Sequence, residues 1–442
     1  MLQFLVLGPG CKPPGAWEGL NFWQQWILNF FPRFSDSLCR GMGGNNPSGG
    51  LPHWAIFLVL GAVGAVIVVN LVVLAVPFVV FVERRVLGRF QQRIGPNRVG
   101  PGGLLQPLAD SIKLMTKEDI TPFKGDHIVH ALAPVAFIVP MLLMFAVMPW
   151  GKGAIFSDLN IGILYVIAMT TSGIFGVFMI GWASNNKYSL FGAMRAIAQL
   201  VSYEVPMVLS IVGVVLMAGS LQMSHIIENQ AYIPNILFQP LGFLIFVIAC
   251  SAELNRSPFD LLEAESELGG GFHTEYSGLK WGMIQLAEYA ALIGYSGIIS
   301  ALFLSGWKGP VLPSYLWFVA KLVFVMILFM WTRATLPRVR IDQVMGFGWK
   351  FLLPLALVNI FVTGGEIVLF GKFSDPATVA AAGRIMEPLP AWLVPVNFII
   401  AGLTIVIAVK LLRFPGKTRQ VMPQAAGVSA PQVAPQPASR GS

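Results

Sequence analysis

The sequence predicts an all-α, polytopic membrane protein whose helices form a transmembrane bundle. Three observations lead to this fold class. The chain has 442 residues, of which 55% are hydrophobic, so it is too long and too apolar for one ordinary soluble core. Only 11% of its residues are charged. Nine apolar runs are long enough for helices that cross about 30 Å of hydrocarbon, which takes about 17 to 25 residues.

The nine predicted spans divide the chain into alternating connecting segments. The spans are 54–82, 131–149, 161–182, 200–218, 234–252, 283–305, 314–332, 351–371 and 391–412. Lysine and arginine test this number, because they concentrate in cytoplasmic loops. Of the 29 basic residues, 21 fall on one side, 7 on the other and Lys321 inside a span. The N-terminus is therefore predicted outside and the C-terminus in the cytoplasm.

The two ends of the chain differ in composition from the spans. Residues 1–50 mix Gly, Pro and Asn with the aromatic run "NFWQQWILNFF", which predicts an extension at the outer interface. Residues 414–442 are rich in Pro, Ala, Gln and Ser, which predicts a disordered cytoplasmic tail. The membrane domain is predicted at 51–371, and 372–413 adds an extra loop and the ninth helix.

The first predicted cytoplasmic loop carries a basic stripe and then an apolar one. Arg85, Arg89 and Arg93 recur at every fourth residue, so the first helix is predicted to continue beyond the membrane. The run "IGPNRVGPGG" should break it. Four apolar residues then share one helical face: Leu104, Leu108, Ile112 and Met115. They predict an amphipathic helix on the membrane surface or against a neighbouring subunit.

Acidic side chains occur inside three of the spans. Each one costs about 2.5–3.5 kcal/mol at a helix centre, so an acid there is expected to have a use. Glu204 and Glu288 are predicted near the cytoplasmic ends of their spans, at the same depth as Glu83 and Glu253. Glu366 is predicted at the outer interface instead. Four acids at one depth favour a proton path, with a packed polar network as the alternative.

The segment 251–278, "SAELNRSPFDLLEAESELGGGFHTEYSG", holds six of the 21 acids. If its middle is helical, Asp260, Glu263 and Glu267 share a face, while Glu265 points elsewhere. Two carboxylates ~7 Å apart repel by roughly 2 kcal/mol at an effective dielectric near 20, so some should stay protonated in a confined site. In a solvated loop, the alternative, water screens this repulsion. The segment directly follows a span and is predicted to fold back into the bundle.

Composition excludes several classes of function. The net charge of +8 is explained by anchoring at an anionic cytoplasmic leaflet, so no nucleic-acid partner is predicted. The three cysteines show no CxxC spacing, which gives no support to a zinc site or a Cys₄ iron–sulfur cluster. All five histidines lie outside the spans, so paired haem ligands are not expected. We predict no metal and no covalently bound cofactor.

Four long motifs together resemble the H subunit of bacterial respiratory complex I, the proton-pumping NADH–quinone oxidoreductase. They are "ERRVLGRFQQRIGPNRVGPGGLLQPLADSIKL", "SNNKYSLFGAMRAIAQLVSYEVP", "AELNRSPFDLLEAESEL" followed by "GFHTEYSG", and "LPRVRIDQVM". They occur in the family's order, and the resemblance covers roughly residues 51–371. The family core has eight transmembrane helices, so the resemblance does not cover residues 1–50, the ninth helix or the tail.

The resemblance implies a quinone chamber at the joint between the membrane arm and the hydrophilic arm, with an acidic funnel leading from it to proton channels. The chamber residues carried over by position or assigned from the acidic segment are Glu83, Arg84, Arg93, Arg195, Arg256, Phe259, Arg333 and Arg340. The predicted proton path comprises Glu204, Glu253, Asp260, Glu263, Glu265, Glu267 and Glu288. Flavin and iron–sulfur clusters would belong to partner subunits, so this chain would not be catalytic alone.

The implied partners are the other membrane-arm and hydrophilic-arm subunits, a quinone such as ubiquinone or menaquinone, and the lipid bilayer. The implied location is the inner (plasma) membrane of a bacterial cell, with several membrane passes. Two other functions stay open from the residues alone. One is a cation-coupled secondary transporter whose acids bind the cation. The other is a structural membrane anchor of a related redox complex, such as a membrane-bound hydrogenase.

Overall fold

The computed structural model describes residues 53–230, 233–260, 269–371 and 390–411. These residues form thirteen α-helices. In chain order they are α1 His53–Phe90, α2 Gln106–Thr116, α3 His127–Leu143, α4 Gly162–Ala183, α5 Lys187–Ala218, α6 Met223–Asn229, α7 Asn235–Phe238, α8 Pro240–Glu253, α9 Gly278–Phe303, α10 Ser314–Thr335, α11 Ile341–Phe347, α12 Leu353–Phe370 and α13 Leu393–Leu411. The predicted all-α fold is confirmed for this part of the chain.

Eight helical stretches in the described ranges are long and apolar enough to cross a membrane. Seven of them contain α1, α3, α4, α5, α9, α10 and α13. The eighth is the continuous run Ile341–Phe370, in which the π-turn Gly348–Leu352 joins α11 to α12. Eight of the nine predicted spans coincide with these stretches, so the chain is a multi-pass membrane protein.

The remaining predicted span, 234–252, is divided between two helices. Pro240 begins α8 and has no N–H to continue the helix from α7, so the chain turns at Gln239, which has non-helical dihedral angles. With 14 residues, α8 is about 21 Å long and falls short of about 30 Å of hydrocarbon. The total of nine crossings is therefore not confirmed. The sides of the two termini depend on that total and stay predictions.

Local signals in the sequence explain where several helices begin and end. Asp126 caps α3, where its carboxylate accepts hydrogen bonds from the N–H groups of Ile128 and Val129 at 3.0 and 3.2 Å. Asn186 caps α5 in the same way, and Gly219 ends that helix in the left-handed conformation at φ 66°. As predicted, α1 continues beyond its apolar run; it includes Arg85 and Arg89 and ends at Phe90, so Arg93, the last arginine of the basic stripe, lies past its end.

The most buried of the long apolar helices is α9, in which every residue from Ala290 to Phe303 is buried. It packs against α1, α3 and α10, while α5 packs against α4, α8 and α12. At the edge of the bundle, α13 contacts α7, α8 and α12, and most of its residues are not buried. The surface helix α2 leaves Leu108, Ile112 and Met115 exposed, which confirms the predicted amphipathic helix.

Close contact between α3 and α4 depends on Gly176. A Cβ atom placed there would lie 2.6 Å from Cα and 2.8 Å from N of Phe137, and backbone atoms cannot move aside as a side chain can. Gly365 on α12 is a matched comparison, because an added Cβ there meets nothing within 4 Å. Replacing each glycine by alanine therefore distinguishes the effect of a packing clash, at Gly176, from the effect of helix propensity alone, at Gly365.

Gly176→Ala is expected to lower the melting temperature of the purified protein, since overpacking of this kind costs about 1–3 kcal/mol. Gly365→Ala should leave the melting temperature unchanged or raise it, because alanine favours the helix. A thermal-shift assay on the two variants measures both effects. Equal melting temperatures for the variants would contradict the close packing of α3 on α4.

Candidate functional site

The centre of the site is Glu83, a carboxylate buried between two arginines. Glu83 lies near the end of α1 and is 1% exposed. Arg256, in the segment after α8, and Arg333, in the last turn of α10, both donate hydrogen bonds to its Oε1 atom. Charge-assisted hydrogen bonds of this kind are needed to keep a buried carboxylate ionised. Glu83, Arg256 and Arg333 form the ion cluster, which joins three separate parts of the chain.

Glu83 and Arg256 have further neighbours within the bundle. The guanidinium carbon of Arg256 lies 4.8 Å from the ring centroid of Tyr289, and the two side chains also share a hydrogen bond. Glu288 is an electrostatic neighbour of Arg256 as well. The second carboxylate oxygen of Glu83, Oε2, is buried and has no hydrogen-bond partner among the described residues. An acceptor is therefore left over at the centre of the cluster.

A polar cavity of about 290 Å³ lies on one side of this cluster. Its walls come from the segment after α8, from residues 270–273, from α9 and from α10. They include Asn255, Arg256, His273, Trp281, Gln285, Glu288, Tyr289 and Arg333. The lining thus offers donors and acceptors of several kinds together with two aromatic rings.

An apolar cavity of about 260 Å³ lies between α1 and α10, and α9 closes it from behind. Its lining includes Ala75, Val79, Val82, Ile293, Met326 and Met330. Residues three or four positions apart lie on the same face of a helix. On each of the three helices, one lining residue is therefore about one turn from a residue of the ion cluster or from Tyr289, which contacts Arg256. These pairs are Val79 with Glu83, Ile293 with Tyr289, and Met330 with Arg333.

Both cavities are lined by α9 and α10 and are consequently stacked along these two helices, and α1 brings Glu83 to the level between them. One cavity is lined by charged and polar groups, and the other is wholly apolar. This arrangement matches an amphiphilic ligand that has a polar head and an apolar tail. It also places any head group beside Arg256 and Arg333, the two arginines that hold Glu83.

A second group of acids lies on α5 and at the end of α8. The Thr171 hydroxyl on α4 donates a hydrogen bond to Glu204 on α5. Glu253 closes α8 and is an electrostatic neighbour of Glu204. Tyr295 on α9 interacts with both acids and hydrogen-bonds Thr170. Carboxyl and hydroxyl groups in contact can pass protons, and Glu253 is three residues from Arg256 in the ion cluster.

The other predicted chamber residues are spread more widely. Arg84 points away from Glu83: it is exposed and pairs with Asp110 on α2 at 2.7 Å. Arg93 is exposed beyond the end of α1, and its Nε donates to Gln91 at 2.6 Å. Arg340 is exposed at the start of α11. The structure therefore does not bring these three arginines to the ion cluster, and their place in a chamber stays a prediction.

Phe259 and Arg195 lie inside the bundle but not in the lining of the polar cavity. Phe259 is 6% exposed, with ring centroids of Tyr203 and Phe347 at 5.1 and 6.4 Å. Its carbonyl accepts a hydrogen bond from Gln199 at 3.0 Å. Arg195 is partly buried on α5. Phe259 thus packs the segment after α8 against α5 and α11.

Three of the six acids of the segment 251–278 are outside the described residues. Glu263, Glu265 and Glu267 fall in the gap between 260 and 269, so their predicted roles stay predictions. Asp260 is the last described residue before this gap and is partly buried.

The end of the acidic segment is anchored where it enters α9. The Ser189 hydroxyl donates to the carbonyl of Phe272 at 2.7 Å, and Asn186 donates to Glu275 at 2.7 Å. The ring of Tyr276 stacks on His130 with centroids 4.0 Å apart. Burial raises the pKa of the Tyr276 phenol, which keeps it protonated at neutral pH. These contacts fix the position of His273 and Trp281 in the cavity wall.

Several residues of the site were not predicted from the sequence. They are Thr170, Thr171, His273, Trp281, Gln285, Tyr289 and Tyr295. The signal available in the sequence was the presence of hydroxyl-bearing side chains inside apolar spans. Tyr289 directly follows Glu288, and Thr170 and Thr171 form a polar pair within the largely apolar span 161–182. For His273 and Trp281 no local pattern marks the cavity wall.

Comparison with known proteins gives one consistent family. The chain matches the NADH dehydrogenase family over residues 63–364. It is similar to the NADH-quinone oxidoreductase H subunit of Dehalococcoides mccartyi (strain CBDB1), at 56% identity over 304 residues, which is 69% of this chain and 86% of the relative. It is also similar to the second H-type chain of that enzyme in Syntrophobacter fumaroxidans, at 47% identity over 330 residues, or 72% of this chain and 99% of the relative. The corresponding H subunit of Brevibacillus brevis is 48% identical over 323 residues, with 72% and 94% covered.

Proposed function

Because the chain belongs to the family of the NADH-quinone oxidoreductase H subunit, which is a membrane component of complex I, we propose that it forms the quinone chamber of that complex and links quinone reduction to proton translocation. The observation that carries this proposal is the Glu83 cluster between a polar and an apolar cavity. Other complex I subunits are its partners, and the quinone and the lipid bilayer are proposed in addition.

The stacked cavities fit the chemistry of a quinone. A quinone has a polar ring that accepts hydrogen bonds and a long isoprenoid tail that is apolar. The tail would enter between α1 and α10, where Ala75, Val79 and Met330 line the slot. The ring would lie in the polar cavity, where Arg256, Tyr289 and Trp281 carry donors. The apolar cavity and the polar cavity would together orient the quinone, with its tail in the first and its ring in the second.

The ion cluster would act on the charge that reduction creates. Reduction of a quinone takes up one proton for each electron, and any delay in protonation leaves negative charge on the ring. Arg256 and Arg333 would stabilise that charge while it lasts. Their bonds to Glu83 would weaken at the same moment, because both arginines are shared between the carboxylate and the ligand. The free Oε2 atom of Glu83 would accept a hydrogen bond from the product.

Proton translocation would use the second group of acids. Weaker pairing of Arg256 changes the field at Glu253, which precedes it by three residues, and Glu253 interacts with Glu204. Glu288 in the wall of the polar cavity would be the first group of this path to accept a proton. We propose Asp260 and the acids of 263–267 as further members of this path. The electrons would arrive from flavin and iron–sulfur clusters on partner subunits, and this chain would not be catalytic alone.

Within the assembled complex, Glu204→Gln is expected to lower the protons pumped per electron by roughly tenfold, because the amide cannot carry a proton. Quinone reduction should fall less, since Glu204 does not line either cavity. Proton uptake and NADH oxidation are measured together in proteoliposomes, with the exposed acid variant Glu118→Gln as control. Glu263→Gln is predicted to act in the same direction.

Unchanged pumping in both Glu204→Gln and Glu263→Gln would contradict the proposed proton path. Normal turnover after neutralising each acid of the path would favour a structural anchor instead. In all cases the proposed location is the plasma membrane of a bacterial cell.

A further inference from the structure

A third cavity, of about 790 Å³, lies far from the ion cluster at the other end of α10. It is bounded by the end of α6, the turn at 304–310 and α10. The lining includes Gln230, Ser305, Lys308, Trp317, Lys321 and Phe324. Lys321 and Arg333 are separated by 12 residues of helix, or about 18 Å, so this cavity is separate from the proposed quinone chamber.

Lys321 is an ammonium group about 10 Å along an apolar helix that begins at Ser314. Its Nζ atom bends back toward the helix start, where it donates to the carbonyls of Gly306 at 2.9 Å and Lys308 at 2.7 Å. A lysine ammonium has three N–H donors. The described residues supply acceptors for two of them, so one donor remains for a ligand in the cavity.

A second ammonium group faces the same cavity. The Nζ atom of Lys308 donates to the carbonyl of Glu228 at 2.7 Å. No carboxylate side chain occurs among the described residues that line the cavity, so the wall as a whole is positive. Aromatic residues flank Lys321 on the same helix: Trp317 packs near the Lys321 ammonium, and Phe324 is 62% exposed on the outside of the bundle.

Positive charge at the start of a span beside exposed aromatic surface complements a lipid that has an anionic headgroup. We propose that this cavity binds the phosphate of an anionic phospholipid, with Lys321 and Lys308 on the phosphate and the acyl chains along Trp317 and Phe324. The lipid would fill the space between the turn at 304–310 and α10. It would thereby hold that turn against the bundle at the end opposite the quinone chamber.

The test is lipid binding by the purified, delipidated complex, measured by native mass spectrometry during titration with phosphatidylglycerol or phosphatidylcholine. The unchanged protein is expected to bind phosphatidylglycerol in preference. Lys321→Met should raise the Kd for phosphatidylglycerol by about fivefold or more. Lys152→Met is the control, because Lys152 is exposed and lies outside the cavity.

A second variant covers the case in which Lys321→Met fails to assemble. Ala320 is exposed in the cavity wall, so Ala320→Phe fills the cavity while the bonds of Lys321 to the turn remain. It should also remove the bound phosphatidylglycerol.

Three results would overturn the proposal. The first is binding of phosphatidylglycerol that neither Lys321→Met nor Ala320→Phe reduces. The second is equal binding of phosphatidylcholine, or displacement of the lipid by millimolar inorganic phosphate, which would indicate a site for free phosphate. The third is absence of lipid together with a cross-link from residue 320 to another subunit, which would make the cavity a protein interface.

Discussion

In the assembled complex, Glu83→Gln is expected to lower the rate of quinone reduction by at least about tenfold. The substitution leaves the guanidinium of Arg256, which is 8% exposed, and that of Arg333 without the carboxylate that they share. Removing one partner of a buried ion pair costs about 3–5 kcal/mol. The two guanidinium groups, which repel each other once the shared carboxylate is gone, should then move apart, and the polar cavity that they line should change shape. NADH:quinone reductase activity of the purified complex measures the effect.

The control for Glu83→Gln is Glu118→Gln, which makes the same chemical change at an exposed residue. Native gel electrophoresis shows whether each variant assembles. Arg333→Lys keeps the charge but not the planar guanidinium, and it should reduce activity less than Glu83→Gln does. If Glu83→Gln assembles and reduces quinone with unchanged kcat and KM, the carboxylate has no part in a quinone chamber.

Ala75→Phe is expected to raise the KM for long-tailed quinones by roughly tenfold, because the larger ring fills the apolar cavity between α1 and α10. The KM for a quinone without a tail should change much less, since in the proposed chamber its ring would lie in the polar cavity. Activity is compared for the two substrates in the same detergent. The ratio of the two KM values separates a blocked slot from general damage to the complex.

The matched control is Ala65→Phe, on the same helix but exposed on the surface of the bundle. It should leave the KM of both quinones unchanged. Equal effects of Ala75→Phe on tailed and tailless quinones would contradict the apolar slot as the path of the tail.

Hydropathy predicted the membrane helices well, because the length of a span is set by the thickness of the bilayer. It missed the break at Gln239, where Pro240 starts a new helix inside one apolar run. A single proline hardly changes the average hydropathy of a run, but it removes a backbone hydrogen bond and can end a helix. The structure shows that Asp126 and Asn186 cap the starts of α3 and α5.

Predicting the site was harder than predicting the fold. Glu83 was identified as a candidate, but its partners lie 173 and 250 residues away in the sequence. Arg84 was placed beside it, although adjacent residues of a helix point about 100° apart. Val76 and Val79 precede Glu83 on the buried face of α1 at helical spacing. An all-apolar span shows no polar face, so the sequence could not indicate which face is buried.

The most direct test of the central claim is to map where a quinone with a photoreactive group on its tail labels the purified complex. We predict labelling of this chain within residues 71–82 of α1 and 319–330 of α10. Excess unlabelled quinone should abolish that labelling, and Ala75→Phe should weaken it. Labelling that never reaches this chain, or that reaches only its lipid-facing surfaces and resists competition, would contradict a quinone chamber formed around Glu83.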